Sequence, residues 1–261
     1  MSSAEPVVLS VVDAVAVVRL NRPSVLNAID APMALALADA FDTIGQRDDI
    51  RAIMLAGEGR AFCAGGDVGR FGTDDPDVAV EAIIVPFHEA LRRLNDLPQP
   101  TVAAVHGAAA GAGFSLALAC DFAVAADTAK FTMAYARIGA SPDGSATYHL
   151  PRIVGLRKAK ELALLAETID AAEAVRLGLV NAVVPAADLE MEAMRLARRL
   201  ADGPTAAYGR IRTLLTESLD RSLDAQLEAE RASFKALTKT GDFREGIAAF
   251  LEKRPARFKG A

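Results

Sequence analysis

The chain is expected to adopt an α/β fold whose strands pair largely in parallel. Three observations predict it. Short strand-like runs alternate with helical patterns through the first half of the 261 residues. Two of those runs lead straight into glycine-rich segments, the second of which opens a helix. Hydrophobic residues make up 52% and charged residues 24%, which is enough apolar material to cover a sheet and bury a large core.

The elements follow in order. Residues 7–12 and 14–20 are rich in β-branched side chains and are separated by Asp13, which reads as a hairpin. Asp30 can cap a helix with Pro32 in its first turn, and Ala34, Leu37, Ala38, Phe41 and Ile44 mark its apolar stripe. Residues 52–56 form a short buried strand that enters the glycine-punctuated segment 57–72. A helix over 77–96 is interrupted or kinked at Pro86. A strand at 102–105, a helix at 111–119 and a strand at 122–126 complete the core. Asp170 and Glu173 form a capping pair for a short helix that closes at Gly178. From Asp188 the pattern is helical almost throughout, broken at Gly203-Pro204 and at Gly241. We divide the chain into a core over 1–200 and a helical C-terminal region over 201–261, which packs either on its own core or against another subunit.

The bulk properties exclude several functions. The formal net charge of −5 and the lack of interleaved aromatic and basic residues argue against a nucleic-acid partner. Two cysteines, Cys63 and Cys120, provide no disulfide framework and suit a reducing cytoplasm. The first six residues lack the basic cluster and apolar run of an export signal. The apolar stretch 102–126 contains His106 and Asp121 and is mostly Ala and Gly, so it reads as buried strand, turn and helix and not as a membrane span.

The chemistry concentrates in two segments. Ala61-Phe62-Cys63-Ala64-Gly65-Gly66-Asp67-Val68 follows one buried strand, and Gly107-Ala108-Ala109-Ala110-Gly111-Ala112-Gly113 follows another. Small residues let backbone approach a ligand, and a helix N-terminus presents unpaired N–H groups. Converging on one oxygen, two such elements form an oxyanion hole; either alone is as well explained by a tight turn. Neither carries a nucleotide- or phosphate-loop pattern.

These segments, together with Asn21-Arg22-Pro23, Asn27-Ala28, the run 107–121, Ala171-Ala172-Glu173-Ala174, Gly178-Leu179-Val180 and Phe243-Arg244-Glu245-Gly246 through Lys253-Arg254, resemble the enoyl-CoA hydratase/isomerase (crotonase) superfamily over nearly the whole length. The resemblance implies a spiral of ββα units with a helical C-terminal region that builds homotrimers or dimers of trimers. It implies an acyl-CoA thioester as substrate, with coenzyme A arriving as part of it and no separate cofactor. By position, the oxyanion donors fall on Gly66 and Ala112. Ser24, Leu26, Ala64, Asp67 and Val68 match positions lining the coenzyme A pocket, and Phe250 and Lys253 match residues that reach CoA, often that of a neighbouring subunit. The 71–87 region is expected to contribute to the acyl pocket.

Hydratases of the family use two glutamates, and the matching positions here hold Ser115 and Tyr135. Neither is a useful base near neutral pH. Asp143, eight residues beyond Tyr135, matches the aspartate of some family isomerases, where one carboxylate removes an α-proton and returns it to the γ-carbon. The alternative for Asp143 is a helix cap or turn residue. Within the superfamily the resemblance is greatest to ring-1,2-epoxyphenylacetyl-CoA isomerases, through residues 109–113, Ser115, Pro142-Asp143 and the run 223–231. Three alternatives stand beside the isomerase: a hydratase, a 4-chlorobenzoyl-CoA dehalogenase-like enzyme in which His88 and Asp143 match, and a non-catalytic scaffold. For His88 the plain reading is a surface or packing histidine. No carboxylate or cysteine stands at ligand spacing from His106 or His149, so no metal site is expected. Cys63 reads as core filler, and the basic run 152–160 as a solvated helix face.

Overall fold

The computed structural model describes residues 5–261. Within them the order is β1 (Val7–Val12), β2 (Val15–Leu20), α1 (Ala31–Gly45), β3 (Ala52–Gly57), α2 (Pro76–Asp96), β4 (Thr101–Val105), β5 (Ala108–Ala110), α3 (Ala112–Leu118), β6 (Phe122–Ala126) and β7 (Lys130–Thr132). There follow α4 (Ala146–Leu165), β8 (Thr168–Asp170), α5 (Ala171–Arg176), β9 (Ala182–Val184), α6 (Leu189–Ala201), α7 (Thr205–Glu217), α8 (Leu223–Leu237) and α9 (Gly241–Glu252). The main sheet runs β1-β2-β3-β4-β6-β9; β1 is antiparallel to β2, and every other neighbour is parallel. A small second sheet runs β5-β7-β8.

The main sheet is covered on both faces, and its side chains sort by the two-residue period of a strand. Ala16, Val18 and Leu20, Ile53 and Leu55, and Ala103 and Val105 enter one apolar cluster with α1, α2 and α3. Their neighbours Val15, Val17, Ala52, Met54, Val102 and Ala104 enter a second cluster beneath α6. That helix presents Leu189, Ala193, Ala197 and Ala201 at four-residue spacing, and the alanines let it lie close to the strands. On the opposite face, the fully buried Phe41 and Phe87 each stabilise by roughly 1.5–3 kcal/mol.

The anticipated caps are present: the Asp30 carboxylate accepts from Met33 N at 3.1 Å, and that of Asp170 from Glu173 N at 2.9 Å. Glu173 does not complete the reciprocal box, because its carboxylate pairs with Arg176. Four expectations need correction. β2 begins at Val15, since Asp13 (φ 50°) and Ala14 (φ 62°) both turn left-handed to close the hairpin, the geometry that matches strand twist. α2 continues through Pro86, which removes one backbone bond while Ile83, Phe87, Ala90, Leu91 and Leu94 hold the helix by burial. The C-terminal helices break additionally at Ser222, which caps α8, whereas the break expected at Gly241 is present, with α8 ending at Leu237 and Thr240 capping α9. The three strands of the small sheet were not anticipated, because three residues with a distant partner carry no periodic signal.

β3 and β4 are parallel neighbours, so both exit at the same edge of the sheet. The segments that follow them are then stitched together: Phe62 N donates to His106 O at 2.8 Å, Cys63 N to Ala108 O at 3.0 Å, and Ala110 N to Cys63 O at 3.0 Å. Their glycines are required by closeness. A Cβ on Gly113 would lie 2.2 Å from the Cys63 carbonyl oxygen, and one on Gly107 2.0 Å from that of Arg60. Among the described residues, no helix is long and apolar enough to cross a membrane.

Candidate active site

A cavity of about 320 Å3 opens where the two segments meet. Ala64, Gly65, Gly66 and Val68 come from the first, and Gly111 and Ala112 from the second. Gly66 sits beside a short parallel bridge to Ile29, in which Ile29 N donates to Gly65 O and Asp67 N to Ile29 O, so the Gly66 amide itself is left over. Ala112 is the first residue of α3, where the helix offers its N–H no partner and the dipole favours negative charge. Two unpaired amides therefore flank one cavity, and they can hold an oxygen that gains charge.

The segment 22–30 braces this arrangement. The buried Asn27 side-chain amide donates to the carbonyls of Glu58 (2.9 Å), Ala61 (2.8 Å) and Phe62 (3.2 Å), and Ala64 N donates to Leu26 O at 3.0 Å. The Arg22 guanidinium lies 3.0 Å from the Asp30 carboxylate and 3.2 Å from that of Asp67. Cys63 lies beneath, fully buried; its thiol faces the Asn27 carbonyl at 3.1 Å, and burial pushes it up to about 12, so it stays protonated.

Tyr135 and Asp143 line the same cavity. The Tyr135 hydroxyl donates a short hydrogen bond to Asp143 Oδ1. Burial first, and the Asp143 carboxylate second, hold the phenol well above its ordinary value, so Tyr135 keeps its proton and acts as a donor. The buried Ser115 Oγ lies 3.0 Å from the phenol oxygen, 3.0 Å from the Asp143 carbonyl oxygen and 3.2 Å from that of Gly111. Ser115 and Tyr135 thus orient Asp143. The Asp143 side chain is not a helix cap: α4 is preceded by Ser145, and it is the Asp143 carbonyl, not its carboxylate, that accepts Ala146 N at 3.1 Å.

The remaining wall is apolar. α2 supplies Val80, Ile83, Ile84 and Phe87, joined by Phe71 and Ile138. The 80, 83, 84, 87 spacing is a helical stripe that sequence reading could have assigned to this cavity, and the 71–87 expectation had left it unresolved. Asp143 is the one carboxylate among the described residues lining the cavity.

Not every predicted position reaches it. Ser24 is exposed and Leu26 half-buried, both outside the cavity wall, while the Asp67 carboxylate is turned onto Arg22. Phe250 is 81% exposed and lies with Lys253 at the end of α9, away from the cavity of its own chain. His88, on α2, accepts from Gly144 N through Nε2 at 3.2 Å and so sits behind Asp143. His106 Nε2 contacts Gly59 O at 3.0 Å, and His149 is held below its ordinary value chiefly by burial. Arg152 stacks 3.7 Å over the Tyr148 ring and pairs with Asp220. Among the described residues, no group of three His, Cys, Asp or Glu side chains could hold a metal ion.

The sequence profile of the enoyl-CoA hydratase/isomerase family matches residues 11–261. The chain belongs to this family. A protein of Rhodobacter capsulatus described as a probable enoyl-CoA hydratase is 43% identical, with 95% of each chain covered. The 1,2-epoxyphenylacetyl-CoA isomerase of Escherichia coli is 39% identical over 92% of this chain and 93% of its own. The crystal structure of an enoyl-CoA hydratase from Polaromonas superposes with a TM-score of 0.91 at 37% identity, covering 97% of this chain and 99% of the other. The α/β spiral with its helical C-terminal region is therefore the crotonase fold, and acyl-CoA chemistry is the family's business. Inside that family this member joins Ser115, Tyr135 and Asp143 by hydrogen bonds, and Tyr135 and Asp143 line the cavity that the Gly66 and Ala112 amides flank.

Proposed function

We propose that the protein is an acyl-CoA isomerase that moves a double bond, or rearranges a ring epoxide, through a thioester enolate with Asp143 as its single acid and base. In the double-bond reaction the Asp143 carboxylate removes the α-proton of a 3-enoyl thioester. The electrons move onto the thioester oxygen, where the Gly66 and Ala112 amides stabilise the negative charge. The protonated Asp143 then delivers the proton to the γ-carbon as the double bond forms between the α- and β-carbons. Coenzyme A enters as part of the substrate, and no further cofactor takes part.

The observation that carries this reading is that Asp143 lines the same cavity as Gly66 and Ala112, with no second carboxylate among its described lining residues. Water addition needs one group to activate water and a second to manage the α-proton, and a phenol held above its ordinary value does not replace a glutamate. The 39% identity to the E. coli isomerase supports isomerisation; the 43% identity to the Rhodobacter protein supports hydration as the second reading. A homo-oligomer, a trimer or a dimer of trimers, accompanies the proposal, since Leu215, Leu219, Leu223, Phe250 and Leu251 expose large apolar surfaces on and between α7 and α9.

The test is conversion of a 3-enoyl-CoA to the 2-enoyl-CoA, followed by absorbance of the conjugated thioester. Asp143→Asn is expected to lose the activity by a factor of roughly 1,000 or more while still binding acetoacetyl-CoA. Full activity in that variant refutes the assignment, and rapid water addition to crotonyl-CoA by the wild type moves hydration to the front.

A further inference from the structure

Asp143 does not sit on a helix or strand; it sits on a turn whose next two residues are both left-handed, Gly144 at φ 59° and Ser145 at φ 66°. Such a turn is strained at the serine and holds its shape only if its surroundings determine it. Ser115 and Ala146 N fix the Asp143 carbonyl, and Tyr135 fixes the carboxylate. The peptide that follows is held from a third direction. Gly144 is buried, and a Cβ there would lie 2.6 Å from Phe87 Cε1 and 3.0 Å from Ser115 Cβ, so α2 presses directly on the turn. The Gly144 N–H donates to His88 Nε2 at 3.2 Å, the next residue on the same helix. Nε2 can accept only if the imidazole is neutral and carries its proton on Nδ1. His88 also borders a second cleft of about 620 Å3, lined in part by Ser145, His149, Asn95 and Glu217.

We propose that His88 is a positioning residue: its neutral imidazole, by accepting the Gly144 amide, locks the turn that aims the Asp143 carboxylate at the Gly66 and Ala112 amides. This role rests on the reading of Asp143 as the acid and base. It gives His88 a task distinct from chemistry on the substrate, since its Nε2 is already engaged by the Gly144 amide. It also links the acyl wall to the reacting carboxylate, because Phe87 faces the cavity while its neighbour His88 holds the turn.

Three variants, assayed on the same 3-enoyl-CoA conversion, test this. His88→Leu fills the volume without an acceptor, His88→Gln restores an acceptor oxygen at similar reach, and Asp143→Asn is the reference. Displacing a catalytic group by about 1 Å can slow a reaction roughly 100-fold. His88→Leu is therefore expected to lower kcat roughly 10- to 100-fold with KM within about threefold of wild type, and His88→Gln to recover most of the loss. Wild-type kcat in His88→Leu, or an equal loss in both His88 variants, overturns the proposal. An active Asp143→Asn instead refutes the role of Asp143 itself, while an inactive Asp143→Asn beside an undiminished His88→Leu refutes only the role of His88. If His88→Leu does not fold, His88→Asn, too short to reach the amide, takes its place with the same two outcomes.

Discussion

Gly113→Ala probes the geometry most directly, because it adds one methyl group where the two glycine-rich segments touch. That Cβ would stand 2.2 Å from the Cys63 carbonyl oxygen, 2.6 Å from Cys63 Cβ and 2.8 Å from the Cys63 carbonyl carbon. All three atoms are backbone or nearly so, so no side chain can rotate aside. The segments must part by about 1 Å before ordinary contact is restored. They carry Gly66 and Ala112 respectively, so the separation falls on the spacing between the two amides. A misplacement of that size lowers kcat by roughly 100-fold. Overpacking of this kind destabilises by about 1–3 kcal/mol, which for a domain of this length lowers Tm by roughly 2–12 °C. The assay is 3-enoyl-CoA conversion with a calorimetric melt and an acetoacetyl-CoA titration. Gly72→Ala is the control, since a Cβ there meets nothing within 4 Å. If Gly113→Ala keeps wild-type kcat and Tm, the two segments are not in the contact described, and the argument for paired amides falls with it.

Three further outcomes follow from the site and its surroundings. Tyr135→Phe removes the donor to the Asp143 carboxylate; a hydrogen bond to a charged group contributes about 1.5–3 kcal/mol, so kcat should fall roughly 10- to 100-fold, and an unchanged kcat would show that the phenol does not orient Asp143. Because the phenol is held above its ordinary value of 10.0, it stays protonated through the alkaline range, so wild type and Tyr135→Phe should share the shape of their pH profiles from about pH 8 to 10; a basic limb present in wild type alone would contradict this. Glu245 is depressed from 4.5 to about 2, first by its hydrogen bonds with Arg254 and next by the Arg257 amide. A depressed carboxylate stabilises above its unfolded value and loses that contribution as pH falls through the folded one. The Tm gap between wild type and Glu245→Gln should therefore be full above about pH 5 and narrow as the pH falls from there toward 2; a gap that widens in acid would reverse the sign.

Much of the fold was legible because its signals are local. Asp30 and Asp170 each precede a helix that their carboxylates cap, and the apolar runs of β2, β3, β4 and β6 are long enough to register. The small sheet was not legible, since Ala108–Ala110, Lys130–Thr132 and Thr168–Asp170 are strands only by virtue of one another. The turn at Asp13-Ala14 lacks the glycine or asparagine that normally announces it.

For the site, sequence by itself determined the residue types: two small-residue segments, a serine and a tyrosine where glutamates are usual in the family, and one aspartate within reach. Local patterning carries that information because backbone approach demands glycine and acid–base work demands a titratable group. Only the tertiary structure decided which side chains act on which. It turned the Asp143 carboxylate onto Tyr135 in place of a helix end, turned Asp67 onto Arg22, left Phe250 and Lys253 away from their own chain's cavity, and set His88 on the amide of Gly144. These pairings span 8, 45 and 56 residues of chain in the cases of Tyr135, Asp67 and His88. The His88 contact arises from how α2 packs on the turn before α4, and that of Asp67 from the approach of the segments 22–30 and 61–68, and no short window of sequence contains either pair.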